Sequence, residues 1–156
     1  MGNKQMSEQT AHTAVPRVIA VEDNPADVRL MEEGVAAAGV ELALTVYNSG
    51  RTAADQFRAI DAETPADHPD LILLDLNLPG TSGLELLTLV RTETPFPDVP
   101  VVIISSSESR EDINRAYEHA ANAYVTKPTD PDNYIDMIDA TIDFWITTAA
   151  RSPANE

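Results

Sequence analysis

The chain contains no cysteine, which excludes disulfides, thiolate metal sites and cysteine nucleophiles. Its three histidines, His12, His68 and His119, are too scattered to suggest an imidazole metal site. Aromatic residues make up 5% of the 156 positions. Positive charge is scarce: 10 basic residues face 26 acidic ones, for a formal charge of −16. A nucleic-acid binder needs a basic face to neutralise phosphates, so direct DNA or RNA binding is not expected. Lysine is scarcest of all, with Lys4 and Lys127 alone among eight arginines. An acidic, lysine-poor surface of this kind suits concentrated salt, which screens the self-repulsion of the fold, and it suggests a halophilic source.

Long apolar runs are missing too. No stretch approaches the roughly 20 apolar residues of a membrane span; residues 99–104 are interrupted by Pro100, and 71–74 are followed by Asp75. The first 17 residues are polar and lack the apolar centre of a signal peptide, so a cytoplasmic protein without membrane insertion is expected. What is present is 43% hydrophobic residues. That is too many for a disordered chain, and the length suits a single core.

Short apolar runs alternate with helical patterns. Strands are expected at residues 17–21, 42–46, 71–74, 101–104 and 123–126. Helices are expected at 26–38, 52–62, 82–92, 110–121 and 131–149. Asn24-Pro25 supplies an N-cap and a first-turn proline, and Ser82-Gly83-Leu84-Glu85 a capping box. Residues 48–50 and 78–80 read as turns, and 61–69 as a polar loop with two prolines. Near-continuous apolar strands in this alternation predict a doubly wound α/β domain, with a parallel sheet covered on both faces. Its extent is taken as 16–149, between a flexible N-terminal arm (1–15) and a C-terminal tail (150–156).

In such a fold the site lies beyond the carboxyl ends of the strands. The polar residues there are Glu22, Asp23 and Asn24 after the first strand, Asp75 and Asn77 after the third, Ser105 and Ser106 after the fourth, and Lys127 after the fifth. Clustered carboxylates need a cation between them, and oxygen ligands without histidine or thiolate favour Mg²⁺. Lys127 and Ser105 supply positive charge and a hydrogen-bond donor for an oxyanion beside the metal. Metal, carboxylate nucleophile and lysine together describe acceptance of a phosphoryl group on Asp75. Taken singly, Asp23 and Asn24 could be helix caps, Asp75 a turn residue, the 105–107 serines a loop and Tyr124 an ordinary strand aromatic. Lys127 is harder to dismiss in a chain that otherwise uses arginine, a poor substitute where a compact charge must reach a phosphate.

These residues form a known set. Glu22-Asp23-Asn24-Pro25, Leu74-Asp75-Leu76-Asn77-Leu78-Pro79, Gly83, Ser105-Ser106 and Lys127-Pro128 appear in order, with 30 residues from Asp75 to Ser105 and 22 from Ser105 to Lys127. Over about residues 16–148 the chain resembles the receiver domain of two-component response regulators. The spacing is similar to that of the single-domain chemotaxis regulator. The Leu-Asp-Leu-Asn-Leu-Pro string and the lengthened 61–69 loop are similar to cyanobacterial phytochrome-partner receivers.

The resemblance implies a flavodoxin-like strand order 2-1-3-4-5 and a phosphoprotein acting in phosphorelay signal transduction. It implies Asp75 as phosphoacceptor, and Mg²⁺ held by Glu22, Asp23, Asp75 and the backbone carbonyl of Asn77. Ser105, Ser106 and Lys127 would contact the phosphoryl group, and Ser105 and Tyr124 would form the switch. It implies a cis Lys127–Pro128 bond as well. No enzymatic action on outside substrates is expected, only the domain's own phosphorylation and dephosphorylation.

Two other functional classes compete with this one. An aspartyl-phosphate hydrolase commonly carries a second acid two residues after the nucleophile, where this chain has Asn77. A phosphate-independent adaptor would have no use for an intact Glu22, Asp23, Asp75, Ser105 and Lys127. Only 29 residues come after Lys127, so no output domain is expected there. The partners would be a histidine kinase and either a downstream protein target, a second copy forming a homodimer, or another histidine in a phosphorelay. On the last helix Ile135, Ile138, Ile142 and Trp145 should face the sheet and Asp132, Asp136, Asp139 and Asp143 the solvent. Met137 and Phe144, with Thr141 between them, are left on a shoulder that could serve as a docking face.

Overall fold

The computed structural model describes residues 15–149. The arm, apart from Val15, and the tail lie outside the described residues. Five strands form one parallel sheet: β1 (Arg17–Val21), β2 (Ala43–Tyr47), β3 (Leu71–Leu74), β4 (Val101–Ser105) and β5 (Ala123–Thr126), in the order β2-β1-β3-β4-β5. Between and after them run α1 (Pro25–Ala37), α2 (Gly50–Ala59), α3 (Gly83–Glu93), α4 (Arg110–Glu118) and α5 (Pro131–Ile142). This is the doubly wound fold that the alternation anticipated, in the flavodoxin-like strand order that the resemblance implied.

Strand side chains alternate between two cores. Val18, Ala20, Leu71, Leu73, Val102 and Ile104 face Met31 of α1 and Tyr134, Ile138 and Ile142 of α5. Ile19, Val21, Ile72, Leu74, Val101 and Ile103 face Phe57 of α2, Leu86 and Val90 of α3 and Ala116 of α4. Burial on both faces is why the central strands carry no polar alternation. On the first face α1 and α5 pack closely. A Cβ added at Gly34 would lie 2.7 Å from Ile138 Cγ2 and 2.9 Å from the carbonyl oxygen of Ile135, so only glycine admits the contact.

Several expected boundaries move. β2 begins and ends one residue later than expected. α2 starts at Gly50 because Ser49 is its N-cap, accepting a hydrogen bond from Thr52 N. The 61–69 loop contains a short 3₁₀ turn, Pro65–Asp67.

The last helix departs most from expectation. Its α-helical part stops at Ile142, and Asp143–Thr148 is a wider π-helical turn. Tyr134, not Ile135, takes the fully buried place on α5. Met137 and Trp145 are half-buried against the core, and Thr141 is buried with its hydroxyl donating to the Met137 carbonyl at 2.7 Å. The shoulder therefore reduces to Phe144, 50% exposed and edge-on to Trp145. The expected cis Lys127–Pro128 bond is trans, there being no cis peptide among the described residues. That expectation came from the resemblance alone and had no support in the residues around the bond.

Candidate phosphoacceptor site

Neighbouring strands pin each site residue through its backbone. Glu22 N donates to Tyr47 O at 3.0 Å, Asp75 N to Val21 O at 3.0 Å, and Lys127 N to Ser105 O at 2.7 Å. Asn24 caps α1, its Oδ1 accepting from Ala26 N and Asp27 N, while its own N–H donates to Glu22 Oε2 at 3.1 Å. Asp75 Oδ1 accepts from Asn77 N at 3.1 Å, which closes the turn after β3. Gly83 lies so near the Asp75 carbonyl and Leu76 Cα that a side chain there would collide with the backbone. The start of α3 is thus pressed onto the turn that carries Asp75.

Glu22, Asp23 and Asp75 converge, with one carboxylate oxygen from each lying within 4.8 Å of the others. Glu22 and Asp75 are buried and Asp23 is exposed. The donor set is all oxygen, which suits a hard divalent cation such as Mg²⁺. Lys127 Nζ lies 2.9 Å from Glu22 Oε1, 2.9 Å from Asp27 Oδ2 and 3.3 Å from Asp75 Oδ2. Asp23 forms no ion pair with it.

Charge and burial compete here. Burial pushes the Glu22 carboxyl up to about 7, with the hydrogen bond from Lys127 opposing and the Asp75 charge adding to the rise. Burial disfavours the ammonium of Lys127, but hydrogen bonds to Asp27 and Glu22 and the charges of Glu22 and Asp75 outweigh it, so its pKa stands above the ordinary lysine value.

Ser105 ends β4, beside β3, and is fully buried, its Oγ accepting from Ser107 N at 3.1 Å. Ser106 is exposed. Tyr124, half-buried against the core, donates its hydroxyl to Ser107 O at 2.8 Å. Ser107 therefore links Ser105 to Tyr124, a part that the serine run concealed. Ser107 Oγ in turn donates to Asp112 Oδ2 at 2.6 Å.

Two further residues escaped the sequence reading. Asp27, an acid in the first turn of α1, was not singled out in the sequence. Tyr134 lies buried on α5, and its hydroxyl has no hydrogen-bond partner. Burial raises its pKa, and the charges of Glu22, Asp27 and Asp75 add to the rise while that of Lys127 opposes it.

The sequence profile of the response regulator receiver domain matches residues 18–139. The chain belongs to the response regulator receiver family. It is 31% identical over 140 residues to response regulator Rcp1 of Synechocystis sp., spanning 89% of this chain and 95% of Rcp1. It is 31% identical over 121 residues to the polar-differentiation response regulator DivK of Brucella ovis, spanning 78% and 91% of the two chains. Among solved structures, the phosphorylated cyanobacterial phytochrome response regulator RcpA superposes with a TM-score of 0.80 at 34% identity, covering 88% of this chain and 98% of RcpA. The Mn²⁺-bound form of Rcp1 superposes with a TM-score of 0.79 at 28% identity, covering 88% and 99%. As a receiver domain, the chain is a signalling protein of the two-component type. No helix among the described residues is long and apolar enough to cross a membrane.

Proposed function

We propose that the protein is a stand-alone response regulator that accepts a phosphoryl group from a histidine kinase on Asp75 and signals by docking to another protein. The observation that carries this reading is the ammonium of Lys127 lying against the buried Asp75 and Glu22 carboxylates at the carboxyl edge of the sheet. An Asp75 oxygen attacks the phosphorus of a phosphohistidine, a P–O bond forms as the P–N bond breaks, and the imidazole takes up a proton. Glu22, Asp23, Asp75 and the Asn77 carbonyl would hold Mg²⁺, which when bound neutralises charge on the phosphoryl oxygens. Solved relatives in a phosphorylated and in a Mn²⁺-bound form support both parts of the proposal.

Lys127 then offsets the new oxyanion charge, and Ser105 and Ser106 offer hydroxyls to it. The bond between Tyr124 and Ser107 suits a switch in which movement of the loop after β4 reaches the outer face of β5. On α5 and its π-helical extension, Phe144 is the exposed apolar residue suited to docking a target or a second copy. A cytoplasmic, salt-rich setting agrees with the acidic, lysine-poor composition.

The test is incubation with acetyl phosphate and Mg²⁺, then intact mass and acid-gel analysis of the wild type and Asp75→Asn. A stable adduct in the wild type alone supports the proposal. Labelling of both proteins, or of neither, overturns it, the latter leaving a phosphate-independent adaptor. Rapid turnover of phosphoesters would point to a hydrolase. Transfer of the label to a second histidine protein would make the chain a relay intermediate.

A further inference from the structure

The Lys127 ammonium has three donors, and three carboxylates use them. Two of these, Glu22 and Asp75, belong to the acidic triad; the third, Asp27, does not. The contact to Asp27 is shorter than the contact to Asp75, 2.9 Å against 3.3 Å. Asp27 is also firmly held. It sits in the first turn of α1, its backbone N–H bonded to the Asn24 cap, and α1 is packed on α5 through Gly34 and Ile138. Its side chain is 23% exposed, so water screens it only in part.

We propose that Asp27 is a positioning residue that holds Lys127 back from Asp75 before phosphorylation and competes with the phosphoryl group for the lysine afterwards. This rests on reading Asp75 as the phosphoacceptor. A carboxylate carries a single negative charge, whereas a phosphoryl group carries roughly 1.5 to 2. Phosphorylation therefore strengthens the pull from the Asp75 side while the pull from Asp27 stays fixed. Asp27 sets the threshold of that exchange, and so the stability of the phosphorylated state.

Lysine scarcity makes the movement observable. With Lys4 and Lys127 the only lysines, ¹³Cε-lysine labelling gives two NMR signals, assigned with Lys4→Arg. In the wild type, beryllofluoride with Mg²⁺ should shift the Lys127 signal. In metal-free Asp27→Asn that signal should already be displaced in the same direction. Titrated with Mg²⁺ present, beryllofluoride should bind Asp27→Asn about fivefold more tightly than the wild type. Asp27→Glu keeps the charge and should return the affinity toward the wild-type value.

The gain should persist in about 1 M KCl, where a through-space effect is screened beyond roughly 3 Å. An Asp27→Asn protein with the wild-type Lys127 signal and affinity overturns the inference. So does weaker binding, or a gain that vanishes in high salt. Failure of the wild type to bind beryllofluoride overturns the phosphoacceptor reading, and this inference with it. Normal wild-type binding with an indifferent Asp27→Asn overturns the inference alone.

Discussion

The phenol of Tyr124 donates to the backbone carbonyl of Ser107, 2.8 Å away and two residues beyond Ser105. Strand β5 and the loop after β4 are thereby joined by a single hydroxyl. Tyr124→Phe keeps the ring and removes the bond. We expect a loss of about 1 kcal/mol in stability, with faster amide exchange confined to residues 106–109 and labelling of Asp75 retained. Unchanged exchange in that loop would show that the bond does not restrain it.

Asp23 is the one member of the acidic triad without the lysine as a partner. In the absence of divalent metal its charge only repels Glu22 and Asp75. Asp23→Ala should therefore raise the melting temperature in the presence of a chelator, and it should abolish the further shift that Mg²⁺ produces in the wild type. Thermal melts with and without Mg²⁺ check both. A lower melting temperature under chelator would contradict the repulsion argument.

Glu22 gives a pH signature. Its folded pKa is raised from 4.5 to about 7, so the folded state binds more protons than the unfolded state between those values. Its contribution to stability is fully present below about pH 4.5 and is lost as pH rises through about 7, by on the order of 3 kcal/mol. Chemical denaturation in chelator should show stability falling across this window, and Glu22→Gln should flatten the fall. A slope that survives in Glu22→Gln belongs to another group.

Gly34 tests the seam between α1 and α5. A methyl group there meets Ile138 Cγ2 at 2.7 Å and the Ile135 carbonyl at 2.9 Å, so the helices must part. Gly34→Ala should cost about 2 kcal/mol, despite the better helix propensity of alanine. Urea denaturation of Gly34→Ala checks this, and an unchanged midpoint would show that the seam yields without cost.

The alternation of parallel strands and helices and the edge that carries the site could be read from the sequence because their causes are local, whereas the strand order came from the family resemblance. Apolar runs mark buried parallel strands, and polar residues directly after them mark the carboxyl edge. Glu22, Asp23, Asp75 and Lys127 met as expected for that reason. Asp27 was not found because an acid in a first helical turn has a sufficient local explanation, and its pairing spans 100 residues. Tyr134 was displaced in the reading by Ile135, whose spacing to Ile138 and Ile142 fits an apolar stripe equally well. Trp145 packs against the core and Phe144 faces outward as the spacing implied, whereas Met137 and Thr141, expected on the shoulder, are drawn in against the core, which a fixed 100° step does not reveal.

One hydrogen bond at the rim of the sheet bears on the protein's behaviour as a solute. β5 is the last strand, paired on one side only. The hydroxyl of Tyr117, from α4, accepts from the backbone N–H of Tyr124 at 3.1 Å, although Tyr117 itself is 49% exposed. A bare strand edge is a template on which another chain can add a strand and begin aggregation. Here a foreign strand would first have to displace a ring that already satisfies one of the donors it needs. Where salt screens the mutual repulsion of the molecules, a blocked edge takes over part of what net charge does elsewhere to keep them apart.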